Sequence, residues 1–176
     1  MLIYNLGPWK ERWLDGPGYR HVLFFVDTAG SDIILGCLPL VRWMLSLGSR
    51  VTLAANSFAA LNHVTAPELA KLIERVQYLD AGMREAVLTG RLSVTGSGAR
   101  TPLLDLGQLS SQCVASARDS DLIILHGMRR AVEGYWTTAF RCDAPRTAVL
   151  EDPAFARHVG GELFDCVFEF TPAKTG

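Results

Sequence analysis

Short apolar segments typical of buried strands alternate with amphipathic helix patterns along most of the chain, and this alternation restricts the possible folds most strongly. Residues 21–26 (HVLFFV), 50–55 (RVTLAA) and 121–127 (DLIILHG) are the clearest strand patterns. Strands that are separated by helices predict a mostly parallel sheet with helices on both faces. The sequence therefore predicts a three-layer, Rossmann-like α/β fold with a mostly parallel central sheet.

Two helix patterns carry boundary signals. In residues 31–48 the apolar residues recur at helical spacing, Ser31 is the expected N-cap, and Pro39 is expected to kink the helix. Thr65 and Glu68 have the spacing of a capping box at the start of the next helix. Further helices are predicted in AGMREAVLTG and LGQLSSQCVASARDS, and further strands in RLSVTGSG, RTAVL and LFDCVFEF.

Length and composition exclude several classes of protein. The 176 residues suit a single domain, with an N-terminal extension (1–19), a core (20–170) and a tail (171–176). A net charge of −1 and the absence of a basic stripe argue against a nucleic-acid partner. No apolar run reaches the roughly 18 residues of a spanning helix, and the first residues lack a signal-peptide pattern, so no transmembrane segment is predicted.

The chain has four cysteines, at positions 37, 113, 142 and 166, and none of them forms a CxxC pair. Most lie within apolar patterns, which favours small buried thiols over a zinc site built from cysteines. Free thiols indicate a reducing compartment. We therefore expect an intracellular protein, and the cytoplasm and the mitochondrion both stay open.

Polar residues follow the predicted strands, where ligands bind in folds of this kind. Asp27 is either a metal ligand or a turn acid that caps the next helix. Asn56 and Ser57 either hold an anion or form an ordinary turn. The TGSG sequence at 95–98 is rich in glycine but lacks the lysine of a P-loop. Together with His126 to Arg129, these residues predict a shared cleft.

Several separated segments resemble the damage-control phosphatases, a metal-dependent family with an α/β core. They are FFVDTAGSDIILGCLPLVRWMLSLGSRVTLAANSFAALNHVT, VTGSGARTPLLDL, DLIILHGMRRAV and RCDAPRTAVLEDPAFARHVGGELFDCVFEF. The likeness includes the phosphatase domain fused to a vertebrate pantothenate kinase paralogue and its free-standing plant relatives. It extends over residues 8–170, and the helical N-terminal subdomain of the family is expected to be absent.

The resemblance implies a divalent cation held by an Asp-Asn pair after the first core strand and by a second Asp after the next one. Hard oxygen ligands suit such an ion, which binds the phosphate and activates water. In this chain the first Asp is Asp27, the Asn position is Thr28, and the second Asp position is His63 in LNHVT. One of the three implied ligands is therefore unchanged.

Other positions implied by the resemblance also differ. The family sequence EGMGRA is HGMRRA here, so that His126 replaces an acid and Arg129 replaces a glycine. Two expected lysines are Arg146 and Glu151. Arg129 is expected to intrude on the cleft, and the negative charge of Glu151 would repel a phosphate. Arg146, with Asn56 and Ser57, is the candidate set for substrate binding.

Three hypotheses follow. The leading one is a pseudoenzyme without a cofactor, retained as a structural or interaction subunit whose partners cover the face left by the missing subdomain. The alternative is an active phosphatase on small phosphometabolites such as phosphopantetheine or sugar phosphates. Asp27 would then act with His63 as metal ligands for nickel, cobalt, manganese or magnesium, and a softer ion would suit the histidine better. A third possibility is a phosphate sensor that uses AANS and TGSG.

Each of the remaining candidates has an ordinary structural interpretation. His63 is either a replacement ligand or a solvated loop histidine. His126 is either a base, a further ligand or a hydrogen-bonded core histidine. Trp9, Trp13 and Trp136 are either surface anchors for a partner or parts of the core.

Overall fold

The computed structural model describes residues 3–98, 100–101 and 103–173, with the backbone alone for residues 3 and 4. The strands are β1 (Ile3–Tyr4), β2 (His21–Phe25), β3 (Arg50–Ala55), β4 (Leu92–Gly96), β5 (Leu122–His126), β6 (Ala144–Val149) and β7 (Cys166–Thr171). The α-helices are α1 (Leu6–Leu14), α2 (Leu38–Ser46), α3 (Ala66–Val76), α4 (Ala81–Leu88), α5 (Ser111–Asp119) and α6 (Pro153–His158). Two π-helical turns cover Asp32–Cys37 and Arg129–Glu133, and a 3₁₀ turn covers Leu106–Gln108.

The seven strands form one sheet in the order β1-β7-β6-β5-β2-β3-β4. Neighbouring strands are parallel except β6 and β7, which are antiparallel. The predicted mostly parallel α/β fold is thus confirmed. The chain proceeds from β2 through β3 to β4 and then returns to the other side of β2 as β5. The carboxyl ends of β2 and β5 therefore flank the switch point at which open α/β sheets form ligand crevices.

Strand β2 lies at the centre of the sheet and every one of its residues is buried. Its side chains alternate between the two faces: Val22 and Phe24 belong to one hydrophobic cluster, and Leu23 and Phe25 belong to the other. The strand is apolar throughout because helices cover both faces of the sheet. This explains why the HVLFFV pattern identifies a central strand.

The N-terminal segment extends the sheet and the core. Strand β1 pairs with β7, a contact that the sequence analysis missed because a two-residue strand has no recognisable periodicity. On α1, Trp9 and Trp13 are buried and pack against Trp43 of α2. The interpretation of Trp9 and Trp13 as exposed anchors for a partner is therefore wrong, and Trp136 is likewise partly buried against the second cluster.

The helix after β2 departs from the predicted form. It begins with the π-helical turn Asp32–Cys37, and Pro39 lies in the first turn of the following α2. Ser31 has helical backbone angles (φ −61°, ψ −35°) and its side chain makes no capping hydrogen bond. The predicted N-cap at Ser31 is wrong because the helical conformation has already started there. The predicted capping box of Thr65 and Glu68 is confirmed.

The cysteines differ in their exposure. Cys37, Cys113 and Cys142 are buried, whereas Cys166, the first residue of β7, is exposed. All four are free thiols. In the described part of the chain, every helix is too short or too polar to cross a bilayer.

Candidate functional site

A crevice of about 510 Å³ opens at the carboxyl ends of β2, β5 and β6. The loop after β2 contributes Asp27 and Thr28, and the loop after β3 contributes His63. The last residue of β5, His126, and Glu151 after β6 lie on the opposite side. The crevice brings together two of the four predicted strand-end clusters, those of Asp27 and His126, whereas Asn56, Ser57 and residues 95–98 do not line it.

Asp27 is almost fully buried, at 5% exposure, and its Oδ1 atom has two basic neighbours. Nε of Arg130 donates to it at 3.0 Å, and Nδ1 of His63 lies 2.9 Å away. Burial alone would raise the pKa of this carboxyl, but the contacts with His63 and with the Arg130 charge hold the pKa below its ordinary value. Asp27 is therefore a paired carboxylate.

Arg130 joins the ends of three strands. It follows β5, its side chain is fully buried, and besides Asp27 it donates through Nη2 to Oδ1 of Asn56 at 2.5 Å. Asn56 comes directly after β3 and is itself fully buried. Within the described residues, Arg130 Nη1 and Asn56 Nδ2 have no hydrogen-bond partner. The guanidinium thus neutralises Asp27 and fixes the three loops relative to one another.

His63 is held against Asp27 by its backbone. Its loop forms an antiparallel bridge with Thr28, and the Val64 amide donates to the Asp27 carbonyl at 2.8 Å. The side chain is buried, so the interpretation of His63 as a solvated loop histidine is wrong. The structure brings Asp27 and His63 together, as the alternative hypothesis requires.

A close approach of backbone to side chain also shapes the floor of the crevice. Gly127 has φ +96°, and a Cβ atom added there would lie 1.9 Å from Oδ2 of Asp27. Glycine is therefore required at this position both by the backbone conformation and by the space that the carboxylate occupies. Gly127, directly after β5, is part of the Asp27 centre.

A second polar cluster lies beside the first. Nε2 of His126 is 2.9 Å from Oδ1 and 3.0 Å from Oδ2 of Asp32, and its Nδ1 is 2.6 Å from Oγ1 of Thr147. The Cys37 thiol, on the same π-helical turn as Asp32, completes a group in which the potential ligand atoms of Asp32, Cys37 and His126 all lie within 4.8 Å of one another. Sequence reasoning missed Asp32 and Cys37, because nothing in the pattern indicates a π-helical turn.

Comparison with known proteins assigns the family. Residues 1–155 match the model of the damage-control phosphatase ARMT1-like domain, which is most of the chain. The chain belongs to the damage-control phosphatase family. The resemblance stated from the sequence motifs is thereby confirmed.

Relatives of this damage-control phosphatase family member are longer proteins. It is 32% identical to damage-control phosphatase At2g17340 of Arabidopsis thaliana, over 99% of this chain and 47% of that protein. It is 36% identical to pantothenate kinase 2 of the same plant, over 97% of this chain and 22% of that protein. The 4'-phosphopantetheine phosphatase of Mus musculus is 29% identical to this chain, over 98% of this chain and 27% of that protein. The chain thus spans less than half the length of these relatives.

A solved structure supports the fold. A DUF89 family protein from Pyrococcus horikoshii superimposes with a TM-score of 0.68 at 17% identity, over 91% of this chain and 49% of that one. At this identity the likeness concerns the fold alone.

The residues of this family member do not fit the divalent ion that the family motif implies at Asp27. Oδ1 of Asp27 faces a guanidinium nitrogen at 3.0 Å and an imidazole nitrogen at 2.9 Å. Arg130 matches the arginine of the family sequence EGMGRA, so it is not a difference from the family. The differences lie at Thr28, where the amide oxygen of an asparagine is replaced, and at His63, where the carboxylate oxygen of an aspartate is replaced. A hard cation needs several oxygen ligands, and a lone carboxylate next to a buried cation does not supply them.

The predicted anion-binding residues lie apart from the crevice. Arg146 is fully buried and its guanidinium donates to the carbonyls of Tyr135, Ala144 and Thr138 and to Oγ1 of Thr171. Ser57 Oγ accepts from the Gly98 amide at 2.8 Å. These contacts give Arg146 and Ser57 roles inside the fold and argue against them as substrate ligands.

Arg129 and Glu151, which replace a glycine and a lysine of the family, both line the crevice but differ in their contacts. Arg129 lines the crevice, as expected, and its Nη1 lies 3.3 Å from Glu133. Glu151 is exposed and lines the same crevice, where its negative charge disfavours a phosphate.

Proposed function

We propose that this chain is a pseudoenzyme of the damage-control phosphatase family, retained as a structural or interaction subunit of a larger assembly. The observation that carries the proposal is the His63 imidazole, which lies 2.9 Å from Oδ1 of Asp27 at the position where the resemblance implies a second carboxylate ligand. A carboxylate engaged in this way, without its companion oxygen ligands, does not bind the hard cation on which phosphoester hydrolysis depends.

A reversion experiment tests the loss of the metal centre. We expect the purified chain to release no phosphate from phosphopantetheine, sugar phosphates or p-nitrophenyl phosphate with Mg²⁺, Mn²⁺, Co²⁺ or Ni²⁺. The double variant Thr28→Asn, His63→Asp restores the family ligand set and is expected to gain Mn²⁺ binding, measured by calorimetry. Adding Asp27→Asn to this double variant is the matched control and should abolish the gain. Phosphate release by the unmodified chain that is lost in Asp27→Asn would refute the proposal.

The alternative of an active phosphatase has one observation in its favour. Asp27 and His63 both line a crevice of about 510 Å³, which has room for a small phosphometabolite. In that case His63→Asn would remove activity, whereas a pseudoenzyme has no activity to lose. The phosphate-release assay therefore separates the two functions.

Exposed apolar surface supports the interaction role. A groove where α2 meets the α3–α4 turn is lined by the buried side chains of Leu38 and Met83 and by Ile34, which is 49% exposed, and Leu79 in that turn is 86% exposed. Uncovered apolar surface of this kind is typical of protein contacts. In the proteins named pantothenate kinase 2, the matched region is 22% of a longer chain. We expect a partner subunit to cover this groove.

The size of the native complex tests the interaction role. In extracts of its own cells the chain should elute from a sizing column as part of a larger species, and Ile34→Arg should release it as a monomer. Leu14→Arg is the control, because Leu14 is similarly exposed but lies on α1. Elution of the unmodified chain as a monomer would contradict the proposal.

A further inference from the structure

The Asp32–Cys37–His126 cluster has the features of a binding site for a transition metal. It combines a carboxylate, a thiol and an imidazole, whose potential ligand atoms lie within 4.8 Å of one another. Thiolate and imidazole ligands suit zinc, cobalt and nickel rather than magnesium or calcium. None of these residues is in the ligand set that the family motif implies.

The π-helical turn brings two of the ligands onto one face. Asp32 and Cys37 are five residues apart, and in an α-helix of 3.6 residues per turn such residues point in widely different directions. A π-helix closes its hydrogen bonds between residues i and i+5, so that the two positions stack. The turn therefore places the Asp32 carboxylate and the Cys37 sulfur together, and short π-helical segments of this kind are frequent at functional sites.

The third proposed ligand, His126, is oriented by a contact of its other ring nitrogen. Nδ1 of His126 is 2.6 Å from Oγ1 of Thr147, its register partner on β6, which leaves Nε2 directed at Asp32. Metal-binding histidines commonly donate their second ring nitrogen to a fixed oxygen in this manner. A metal ion between Nε2 and the carboxylate would replace the contact that the two side chains now make.

The exposure of the three residues suits a bound metal ion that is reached from the crevice. Cys37 is buried, whereas Asp32 and His126 are partly exposed and line the crevice. An ion bound by the three would therefore be protected on the Cys37 side and accessible to water from the crevice. Three protein ligands with a fourth position open to solvent are a common arrangement for zinc.

We propose that Asp32, Cys37 and His126 bind one divalent transition-metal ion of the zinc, cobalt and nickel class. The site lies beside the Asp27 centre in the same crevice but shares no residue with it, and the proposal does not depend on whether the chain hydrolyses phosphoesters. On binding, Cys37 gives up its thiol proton to solvent and Nε2 of His126 coordinates through its lone pair, so no redox partner is required.

Cobalt absorption tests the proposal, because a thiolate ligand gives Co²⁺ a charge-transfer band in the near ultraviolet. The protein is stripped with a chelator in a Cys166→Ser background, since Cys166 is the exposed thiol. We expect a band that saturates at about one Co²⁺ per chain, by the three-ligand geometry of the site. Zn²⁺ should displace the Co²⁺ and abolish the band.

Substitutions assign the band. Cys37→Ser should remove the band. Asp32→Asn, which changes a partly exposed side chain, should weaken Co²⁺ binding while the circular dichroism stays native. Thr147→Val should weaken binding by about 10- to 100-fold, the usual effect of removing a residue that orients a metal-binding histidine.

Two control variants define the outcome that overturns the proposal. Cys113→Ser removes a buried thiol elsewhere, and His63→Asn alters the Asp27 centre; both should keep the band. Absence of the band in the parent protein, its persistence in Asp32→Asn at unchanged affinity, or its loss in Cys113→Ser would each refute the site. Because His63 is not a ligand here, failure of this site and failure of the pseudoenzyme proposal are distinguishable.

Discussion

Asp27 and Arg130, 103 positions apart in the sequence, form a buried ion pair at 3.0 Å that joins the end of β2 to the turn after β5. Both side chains are nearly inaccessible to solvent, at 7% and 1% exposure. Asp27 lines the crevice and Arg130 is buried behind it, and removing one member of the pair leaves the other charge buried without compensation.

Loss of this pair should destabilise the fold strongly. We expect Arg130→Met to lower the free energy of unfolding by about 3 kcal/mol, because the Asp27 carboxylate keeps only His63 as a basic neighbour. Urea unfolding measures the effect. Arg20→Met is the control: the Arg20–Asp121 pair is at the surface, and its loss should cost less than about 1 kcal/mol. Equal costs in the two variants would contradict the importance of burial.

The close approach at Gly127 should make that position intolerant of a side chain. Gly127→Ala places a Cβ atom 1.9 Å from Asp27 Oδ2 at a positive φ, and we expect a cost of about 3 kcal/mol from combined strain and overpacking. Gly160→Ala has the same backbone problem, with φ +76°, but no atom within 4 Å. It should cost about 1 kcal/mol, the strain alone. Thermal unfolding of both variants separates the two contributions.

The capping box at the start of α3 should contribute measurably to stability, and Ser31 serves as the control position. The Glu68 amide donates to Thr65 Oγ1, and the Glu68 carboxylate accepts from the Thr65 amide at 2.9 Å. Thr65→Ala should therefore cost about 1 kcal/mol of unfolding free energy. Ser31 makes no capping hydrogen bond, and Ser31→Ala should change stability by less than about 0.5 kcal/mol. A larger effect at Ser31 would show that it caps its helix after all.

A buried histidine should make stability depend on pH. His21 is buried against Thr52 and Arg50, and burial, reinforced by the Arg50 charge, lowers its pKa. The unfolded chain therefore binds a proton near pH 6.5 that the folded chain does not bind, so stability falls as pH drops below about 6.5. Urea unfolding at pH 7.5 and at pH 5.5 should show a smaller decrease in His21→Gln than in the parent. An equal decrease in both would exclude His21 as the source.

The central strands and the polar residues at their carboxyl ends were predictable because they depend on local patterns. The apolar run at 21–26 and the capping box at Thr65 are properties of neighbouring residues, and both appear in the structure as expected. Asp27 was recognisable for the same reason, as an acid directly after a buried strand. Its partners were less so: Arg130 was passed over because sequence alone does not show that β2 and β5 are adjacent.

His126 was recognised from the sequence as a possible ligand, but its grouping with Asp32 and Cys37 was not, for two physical reasons. The ligand atoms of this cluster come from β5 and from the turn after β2, and strand order decides whether these meet. The cluster also depends on a π-helical turn, and hydrophobic periodicity gives no signal for the change from i+4 to i+5 hydrogen bonds. The edge strand β1 was missed because its two residues are defined only by β7.

The uneven exposure of the four thiols has a practical consequence. A mild alkylating reagent should modify the folded chain once, at Cys166, and the unfolded chain four times. Mass spectrometry of the labelled chain would therefore count folded and unfolded molecules directly, without a spectroscopic probe. A dye attached at Cys166 would label the first residue of β7 without modifying the three buried thiols.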